Sequence, residues 1–327
     1  MSRTAWAWSR FVASGVILGV LVWRLGTGPF LDGVRTVDAQ ALVAAAVLAV
    51  PTTLCCAWRW KIVARGFGVD LPLPAAVAAY YRSLFLNVTL PGGVVGDVHR
   101  GVSHGREVSA VGRALRAVAW ERFVGQVVQV VLTVAVLLAL PSPVHSSMPL
   151  LASGLGAAAA LALLLARVRR GAERSAWGRV RGAVAGDVRK VLGRKAWLGI
   201  SVTSAVVVGG HAATFLIAAR TAGSTAPLSR LLPLTLLVLA VMVVPSVGGW
   251  GPREGAAAWA FGAAGLSAGQ GVATAVVYGV MVLVACLPGA VVLLVSWSRR
   301  MRSPKRTQHK RSPGRRQRPL VEGAAHA

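Results

Sequence analysis

Charged residues interrupt this otherwise apolar chain at a few defined places. Residues 87–101 read NVTLPGGVVGDVHRG, and residues 244–255 read VPSVGGWGPREG. Each stretch has a proline, several glycines and an acid close to an arginine. Glycine and proline interrupt helices, and the N-terminus of a half-helix attracts anions. The two stretches therefore predict polar sites between half-helices, where an arginine and a helix end could bind a phosphate.

Three of the ten acids lie at these breaks or at the mouth of a long apolar run, and the others fall in predicted loops or the tail. A charge in or near a membrane is costly, so it is usually paired or functional. Sequence neighbours give three candidate ion pairs: Asp97 with Arg100, Glu121 with Arg122, and Glu254 with Arg253. Two interpretations stay open. The pairs could be structural, as orientation anchors or buried ion pairs, or at least some of their members could contact the substrate.

Four further polar residues are candidates for a site or for structure. Arg59 lies between two tryptophans, which favours an anchor at the membrane interface over a substrate contact. Arg82 interrupts an apolar stretch and is a candidate substrate contact. Asn87 could cap a half-helix or bind a head group. His211 has no acid nearby in sequence, which favours a helix–helix hydrogen bond over a proton relay.

The composition predicts a membrane protein. The 327 residues are 55% hydrophobic, with a mean hydropathy of +0.63. Four runs contain no Asp, Glu, Lys or Arg, at residues 123–166, 196–219, 231–252 and 255–298. A helix needs about 20 apolar residues to cross a bilayer. The three cysteines are spaced for neither a zinc site nor a disulfide set, and we expect no cofactor or metal.

The expected fold is an all-α polytopic membrane protein with about six full transmembrane helices and two re-entrant hairpins broken by Gly and Pro. The predicted spans are about 7–25, 39–57, 118–140, 147–167, 196–219 and 271–297. The hairpins are the interrupted stretches at about 73–96 and 229–268. Residues 1–297 form one predicted membrane domain with candidate halves 1–140 and 147–297. Residues 298–327 form a basic, disordered cytoplasmic tail.

The basic residues predict the orientation. The net charge is +26, and ten Lys or Arg lie in each of the segments 167–195 and 299–318. Because these clusters alternate with apolar runs, they indicate a cytoplasmic face on an anionic inner leaflet rather than nucleic-acid binding. Both termini are then cytoplasmic. The excess of Arg over Lys and the abundant Ala, Gly and Val suggest a bacterial gene, and hence the bacterial inner membrane.

With this orientation, the two hairpins enter the membrane from opposite sides. Residues 59 and 100–116 fall inside, so the segment between them enters and leaves on the cytoplasmic side. Residues 220 and 270 fall outside, so 229–268 returns to the exterior. Paired broken segments of this kind are typical of inverted-repeat transporters, which bind substrate near the bilayer midplane.

Together, the charged breaks resemble a known family, the flippase-like membrane proteins related to the transmembrane domain of lysylphosphatidylglycerol synthetases. The order and spacing of the motifs agree over roughly residues 10–297. The matching positions, which are also the predicted substrate-binding residues, are Asn87, Pro91, Gly92, Gly96, Asp97, Arg100, Glu121, Arg122, Pro245, Gly249, Gly251, Arg253 and Glu254.

The resemblance implies a protein that moves an aminoacylated, other anionic, glyco- or polyprenyl lipid between leaflets. Bifunctional members carry a soluble aminoacyl-transferase domain, whereas only about 30 basic, polar residues follow the last predicted span here. We therefore expect no enzymatic activity, and neither the paired-Asp nor the Ser-Gly-His pattern of lipid-modifying enzymes is present. The alternative is a non-transporting accessory subunit of a separate lipid-modifying enzyme or glycosyltransferase.

Overall fold

A computed structural model describes residues 3–90, 93–141, 186–187, 193–242 and 250–302. The regular structure of these residues is α-helical. The helices are α1 (Arg3–Leu25), α2 (Gly28–Arg35), α3 (Ala39–Gly66), α4 (Leu73–Thr89), α5 (Val95–Glu107), α6 (Val111–Ala139), α7 (Arg194–Thr221), α8 (Leu228–Val241), α9 (Pro252–Ala263), α10 (Ala268–Ala285) and α11 (Leu287–Arg302).

Four helical segments in the described part are long and apolar enough to cross a membrane. They are Ala39–Gly66, Val111–Ala139, Ala196–Thr221 and Ala268–Ser298, and a bent pair, Ser14–Leu25 with Gly28–Arg35, makes up to a fifth. The chain is therefore a helical, multi-pass membrane protein. The predicted span 147–167 lies outside the described residues.

The structure corrects the N-terminal prediction, in which residues 24–38 were a loop. The chain turns at Gly26, where φ is +75°, and α2 then leaves α1 at 98°. Pro29 favours the start of α2 because proline is compatible with the first turn of a helix. The α2 helix packs on α10, and a Cβ at Gly33 would lie only 2.9 Å from the Ala273 carbonyl oxygen.

The last predicted span, 271–297, lies within the candidate span Ala268–Ser298, and the helix is interrupted inside it at one residue. The α10 helix ends at Ala285, Cys286 follows, and α11 begins at Leu287 with a proline next in sequence. Proline at that point cannot donate the hydrogen bond that would continue α10 without interruption. The α11 helix runs to Arg302, past the boundary at which the tail was predicted to begin.

Two apolar cores lie toward opposite ends of the packed pair α3 and α7, since Ala64 near the end of α3 belongs to one core and Ala45 near its start to the other. One core contains Trp60, Tyr80 and Ile200, which are 1%, 2% and 0% exposed. The other contains Phe215 and Phe261, together with residues of α8 and α10. Each core therefore includes residues of one of the two interrupted segments, α4 in the first and α8 and α9 in the second.

The predicted hairpin at 229–268 contains two short helices, α8 and α9, of 14 and 12 residues. The one predicted at 73–96 contains α4, of 17 residues, but only the first two residues of α5, which has 13 residues and continues to Glu107. In each half a long helix precedes the short pair and a longer one follows it. Glycines allow close packing: a Cβ at Gly96 would lie 2.0 Å from the Ser83 carbonyl oxygen, and one at Gly271 would lie 2.4 Å from that of Ala257. The predicted break residues Pro91, Gly92, Pro245 and Gly249 lie outside the described residues.

Candidate functional site

A buried ionic cluster joins α3, α4, α5 and α6. At its centre is Glu121, which is 0% exposed. Its Oε1 accepts hydrogen bonds from Arg59 Nε at 2.9 Å and Tyr80 Oη at 3.3 Å. Its Oε2 accepts from Arg100 Nη2 at 2.7 Å. A carboxylate in a core needs this kind of partnership, because an unpaired buried charge is strongly unfavourable.

Asp97 is the second acid of the cluster, and both of its oxygens accept two hydrogen bonds. Oδ1 accepts from Ser83 Oγ at 3.2 Å and Arg100 Nε at 2.9 Å. Oδ2 accepts from Asn87 Nδ2 at 3.0 Å and Arg122 Nη2 at 2.6 Å. The Oδ1 of Asn87 also accepts from the Gly96 N–H at 2.8 Å. Asn87 therefore ties the end of α4 to the first turn of α5.

These contacts correct one predicted ion pair. Glu121 and Arg122 are neighbours in sequence, but Glu121 binds Arg59 and Arg100, whereas Arg122 binds Asp97. Successive residues of a helix point in directions about 100° apart, so they do not face each other. The predicted pair of Asp97 with Arg100 is present at i,i+3 spacing.

Arg59 is part of the cluster and is not the interfacial anchor that was favoured for it. It is 5% exposed and also donates to Ser204 Oγ on α7 at 3.0 Å. Its guanidinium lies against Gly125, where a Cβ would come within 2.9 Å of it. The flanking tryptophans misled the prediction because they differ in environment: Trp58 is 49% exposed, whereas Trp60 lies in the core.

Arg100 is held between two aromatic rings. Its guanidinium carbon lies 4.5 Å from the centroid of Trp60 and 4.4 Å from that of Tyr80. Ring faces attract cations, and they do so more strongly where water is excluded. Because Arg100 is 0% exposed, it neutralises Asp97 and Glu121 from within the core.

A second, smaller cluster lies at the start of α9. Gly251 has φ +98°, and its N–H donates to Glu254 Oε2 at 2.7 Å. Arg253 Nε donates to Glu254 Oε1 at 2.9 Å. The adjacent pair predicted from the sequence is thus present, because Glu254 folds back over the helix start as in a capping box. Both side chains are buried, at 3% and 0% exposed.

The surroundings of the Arg253 guanidinium are similar to those of the arginines in the first cluster. Its guanidinium carbon lies 5.1 Å from the Trp250 centroid and 5.7 Å from that of Tyr278. A Cβ at Gly279 would lie 2.4 Å from its Nη2. The Tyr278 hydroxyl lies 3.1 Å from His211 Nδ1, which is the helix–helix hydrogen bond favoured for this histidine.

A cavity of about 980 Å³ lies between the two clusters. Residues from both interrupted segments and from α6, α7 and α10 line it. Arg122 and Asp97 face it from the first cluster, and Arg253 faces it from the second. The Arg122 side chain is 46% exposed, whereas that of Asp97 is 8% exposed. The other polar lining residues are Asn87, Thr89, Gln126, Gln129, His211 and Tyr278.

The chain matches the family model described as "Lysylphosphatidylglycerol synthase TM region" over residues 8–290. It belongs to this family. The matched range of the lysylphosphatidylglycerol synthase transmembrane family includes both clusters and every residue that lines the cavity. No curated protein and no solved structure matches the chain.

Within this family domain, the predicted site residues separate into two groups. Asn87, Asp97, Arg122 and Arg253 line the cavity. A second group supports them without lining it: Gly96, Arg100, Glu121, Gly251, Glu254 and Arg59. Arg82, on α4, is partly buried and is not among the lining residues.

Several residues of the site were not predicted from the sequence. Tyr80, Trp60 and Tyr278 contact the arginines of the clusters. The two tyrosines lie in apolar segments without a feature that singles them out, and Trp60 was taken for part of an interfacial anchor. Gly125 and Gly279 make room for guanidinium groups, and glycines within long apolar helices could have drawn attention to those places. Neither glycine has a sequence neighbour that would have identified which arginine it contacts.

Proposed function

We propose that this protein moves a phospholipid between the leaflets of the bilayer, and that the lipid head group passes through the cavity between the two clusters. The observation that carries the proposal is the cavity itself, about 980 Å³ in volume and lined by charged and amide side chains on an apolar wall. Membership of a lipid-synthase membrane family supports a lipid as the cargo.

The lining has the two properties that a lipid head group requires. Moving a charged phosphate through hydrocarbon costs several kcal/mol or more unless polar groups replace its water. Arg122 offers a charged donor, and Gln126 and Gln129 on the same helix offer neutral ones. The apolar part of the wall, which includes Leu115, Val118 and Leu239, remains compatible with acyl chains.

The arrangement of helices supports transport by an inverted repeat. Helices α3 to α6 and α7 to α10 follow a similar order: a helix of 28 residues, two helices of 12 to 17 residues, then a helix of 29 residues in the first set and 18 in the second. With the orientation derived from the basic residues, the first short pair opens to the cytoplasm and the second to the exterior. A rocking motion of one half against the other would then expose the cavity to each leaflet in turn.

The proposal includes a location and partners. We place the protein in the bacterial cytoplasmic membrane, with both termini inside and the basic tail on the anionic inner leaflet. The chain would not be an enzyme itself, and a separate lipid synthase or glycosyltransferase would supply its substrate. Nucleic acid has no part in this function.

A leaflet-resolved assay tests the proposal. The purified protein is placed in vesicles that contain a fluorescent phosphatidylglycerol, and a membrane-impermeant quencher reports how much of it reaches the outer leaflet. Arg122→Gln, Asp97→Asn and Glu254→Gln are compared with the wild type after each has been shown to fold in detergent. The matched control is Asp70→Asn, since Asp70 is exposed and does not line the cavity.

Transport by the wild type and the control, with loss in the folded site variants, supports the proposal. A wild type that fails to move several anionic and polyprenyl lipids contradicts it. The accessory-subunit alternative then takes its place, and stable co-purification with a lipid-modifying enzyme or glycosyltransferase is its test.

A further inference from the structure

We propose that the cavity selects its lipid by the anionic phosphate and discriminates against head groups that carry net positive charge, such as aminoacylated phosphatidylglycerol. This inference rests on the proposed binding of a lipid head group in the cavity. It narrows the substrate to net-anionic lipids, one of the classes that family resemblance leaves open.

The charge of the lining supports this selection. Among the residues that the structure describes, the charged side chains lining the cavity are Asp97, Arg122 and Arg253. With His211 neutral, their sum is +1. The two sequence gaps at the breaks, residues 91–92 and 243–249, contain no Asp, Glu, Lys or Arg.

The acids have little capacity left for an ammonium group. Each oxygen of Asp97 already accepts two hydrogen bonds, two of them from arginines. Glu121 and Glu254 are 0% exposed, and both oxygens of each carboxylate are occupied. A cationic head group would have to displace an arginine from a carboxylate, which leaves that arginine without its counter-charge.

Donors, in contrast, remain available. Arg122 contacts Asp97 through Nη2, and 46% of its side chain is exposed. Gln126 Nε2 is buried without a hydrogen-bond partner in the described structure. Residues four apart share one face of a helix, and both of these line the cavity. A phosphate has acceptor oxygens for both, and the planar fork of arginine matches it well.

Selectivity depends on repulsion of cationic head groups as well as on attraction of anionic ones. Arg122 and Arg253 repel a cationic head group that enters the cavity, because like charges raise the energy of a complex. Specificity commonly depends on such repulsion of the competing ligand. Arg122 therefore serves as the specificity-determining residue, with Gln126 as a second donor to the phosphate.

Lipid binding in detergent tests the selectivity separately from transport. Native mass spectrometry is used to titrate the full-length protein with phosphatidylglycerol, phosphatidylcholine and lysyl-phosphatidylglycerol of equal acyl chains. We expect phosphatidylglycerol to bind roughly tenfold more tightly than the lysylated lipid, which corresponds to about one charge-assisted hydrogen bond. Arg122→Gln should reduce this ratio to about one.

Gln126→Glu is the sharper variant, because it brings the charge of the lining to zero without removing a contact that the structure describes. It should abolish or reverse the preference for the anionic lipid. Gln40→Glu is the matched control, since Gln40 is exposed in the first turn of α3 and lies outside the cavity. The control should keep the wild-type ratio.

Each outcome has a defined meaning. Equal or tighter binding of the lysylated lipid by the wild type overturns the inference, and so does an unchanged ratio in folded Gln126→Glu. A preference for the anionic lipid that Gln126→Glu removes supports the inference, even if vesicles show no transport; in that case only the proposed function fails. Transport of both lipids at equal rates, with equal binding, overturns the selectivity alone.

Discussion

The two charged clusters are built in different ways. In the first, three arginines and two acids come together from three helices, α4 adds neutral partners, and the longest-range contact joins Arg59 to Ser204. In the second, one arginine and one acid are adjacent in sequence at the start of α9. The first cluster exists only when helices distant in sequence have packed together, whereas the second is largely a local helix cap.

The clusters also share a feature that their sequences do not reveal. Each places an arginine guanidinium against a glycine of a long helix, Arg59 on Gly125 and Arg253 on Gly279. Aromatic rings flank Arg100 in the first cluster and Arg253 in the second. Contact of an arginine guanidinium with a helix glycine and with aromatic rings is therefore common to the two clusters. The two clusters differ in the number of acids, and in the arginine that faces the cavity: Arg122 is 46% exposed, whereas Arg253 is 3% exposed.

The largest expected effect comes from the centre of the first cluster. Glu121→Gln leaves Arg59 and Arg100 without their shared charge partner in a site that is 0% exposed. Removing one member of a buried ion pair costs about 3–5 kcal/mol. Thermal or denaturant unfolding in detergent should show this loss, and stability within 1 kcal/mol of the wild type would contradict the central role of Glu121.

Glu254→Gln should be milder, by about 1.5–3 kcal/mol, which is the range for a hydrogen bond to a charged group. The glutamine oxygen can still accept from the Gly251 N–H, and a single arginine loses its counter-charge rather than two. Measured side by side in the same detergent, the two variants test the contrast between the clusters directly. An equal or larger loss in Glu254→Gln would mean that the second cluster is not a local cap.

The next largest loss of stability is expected at the two glycines that contact an arginine guanidinium. Gly279→Ala and Gly125→Ala each place a methyl group against a guanidinium, at 2.4 Å and 2.9 Å, and crowding of this kind costs about 1–3 kcal/mol. Gly209→Ala is the control, since an added Cβ there meets nothing within 4 Å. Because alanine favours helices, the control should unfold at the same temperature as the wild type or higher. If the control is equally destabilised, the loss in the other two variants cannot be attributed to contact with the guanidinium groups.

The smallest effect is expected at the exposed edge of the first cluster. Arg122 and Asp97 are 2.6 Å apart, but the Arg122 side chain is 46% exposed. Solvent screens such a pair, so a double-mutant cycle with Arg122→Gln and Asp97→Asn should give a coupling energy of about 1 kcal/mol or less. A coupling of several kcal/mol would show that Arg122 is a structural member of the cluster and not a residue held ready for a ligand.

Much of the fold was predictable because it depends on local composition. Long uncharged runs predict spans at α3, α6, α7 and α10, and Gly and Pro predict the interruptions in each half. The bent N-terminal pair was not predicted, since α2 has only eight residues and its place depends on packing against α10. The same limit applies to the end of the last span, where one residue, Cys286, separates two helices.

The pairings that were predictable are those within one turn of a helix. Asp97 with Arg100 and Arg253 with Glu254 are both visible in the sequence, because local geometry brings them together. By itself the sequence determined that this chain is a membrane protein with two charged breaks, since hydrophobicity and chain spacing are properties of the sequence alone. Only the tertiary structure decided that Glu121 binds Arg59 and Arg100, because a buried carboxylate takes the donors that neighbouring helices place around it.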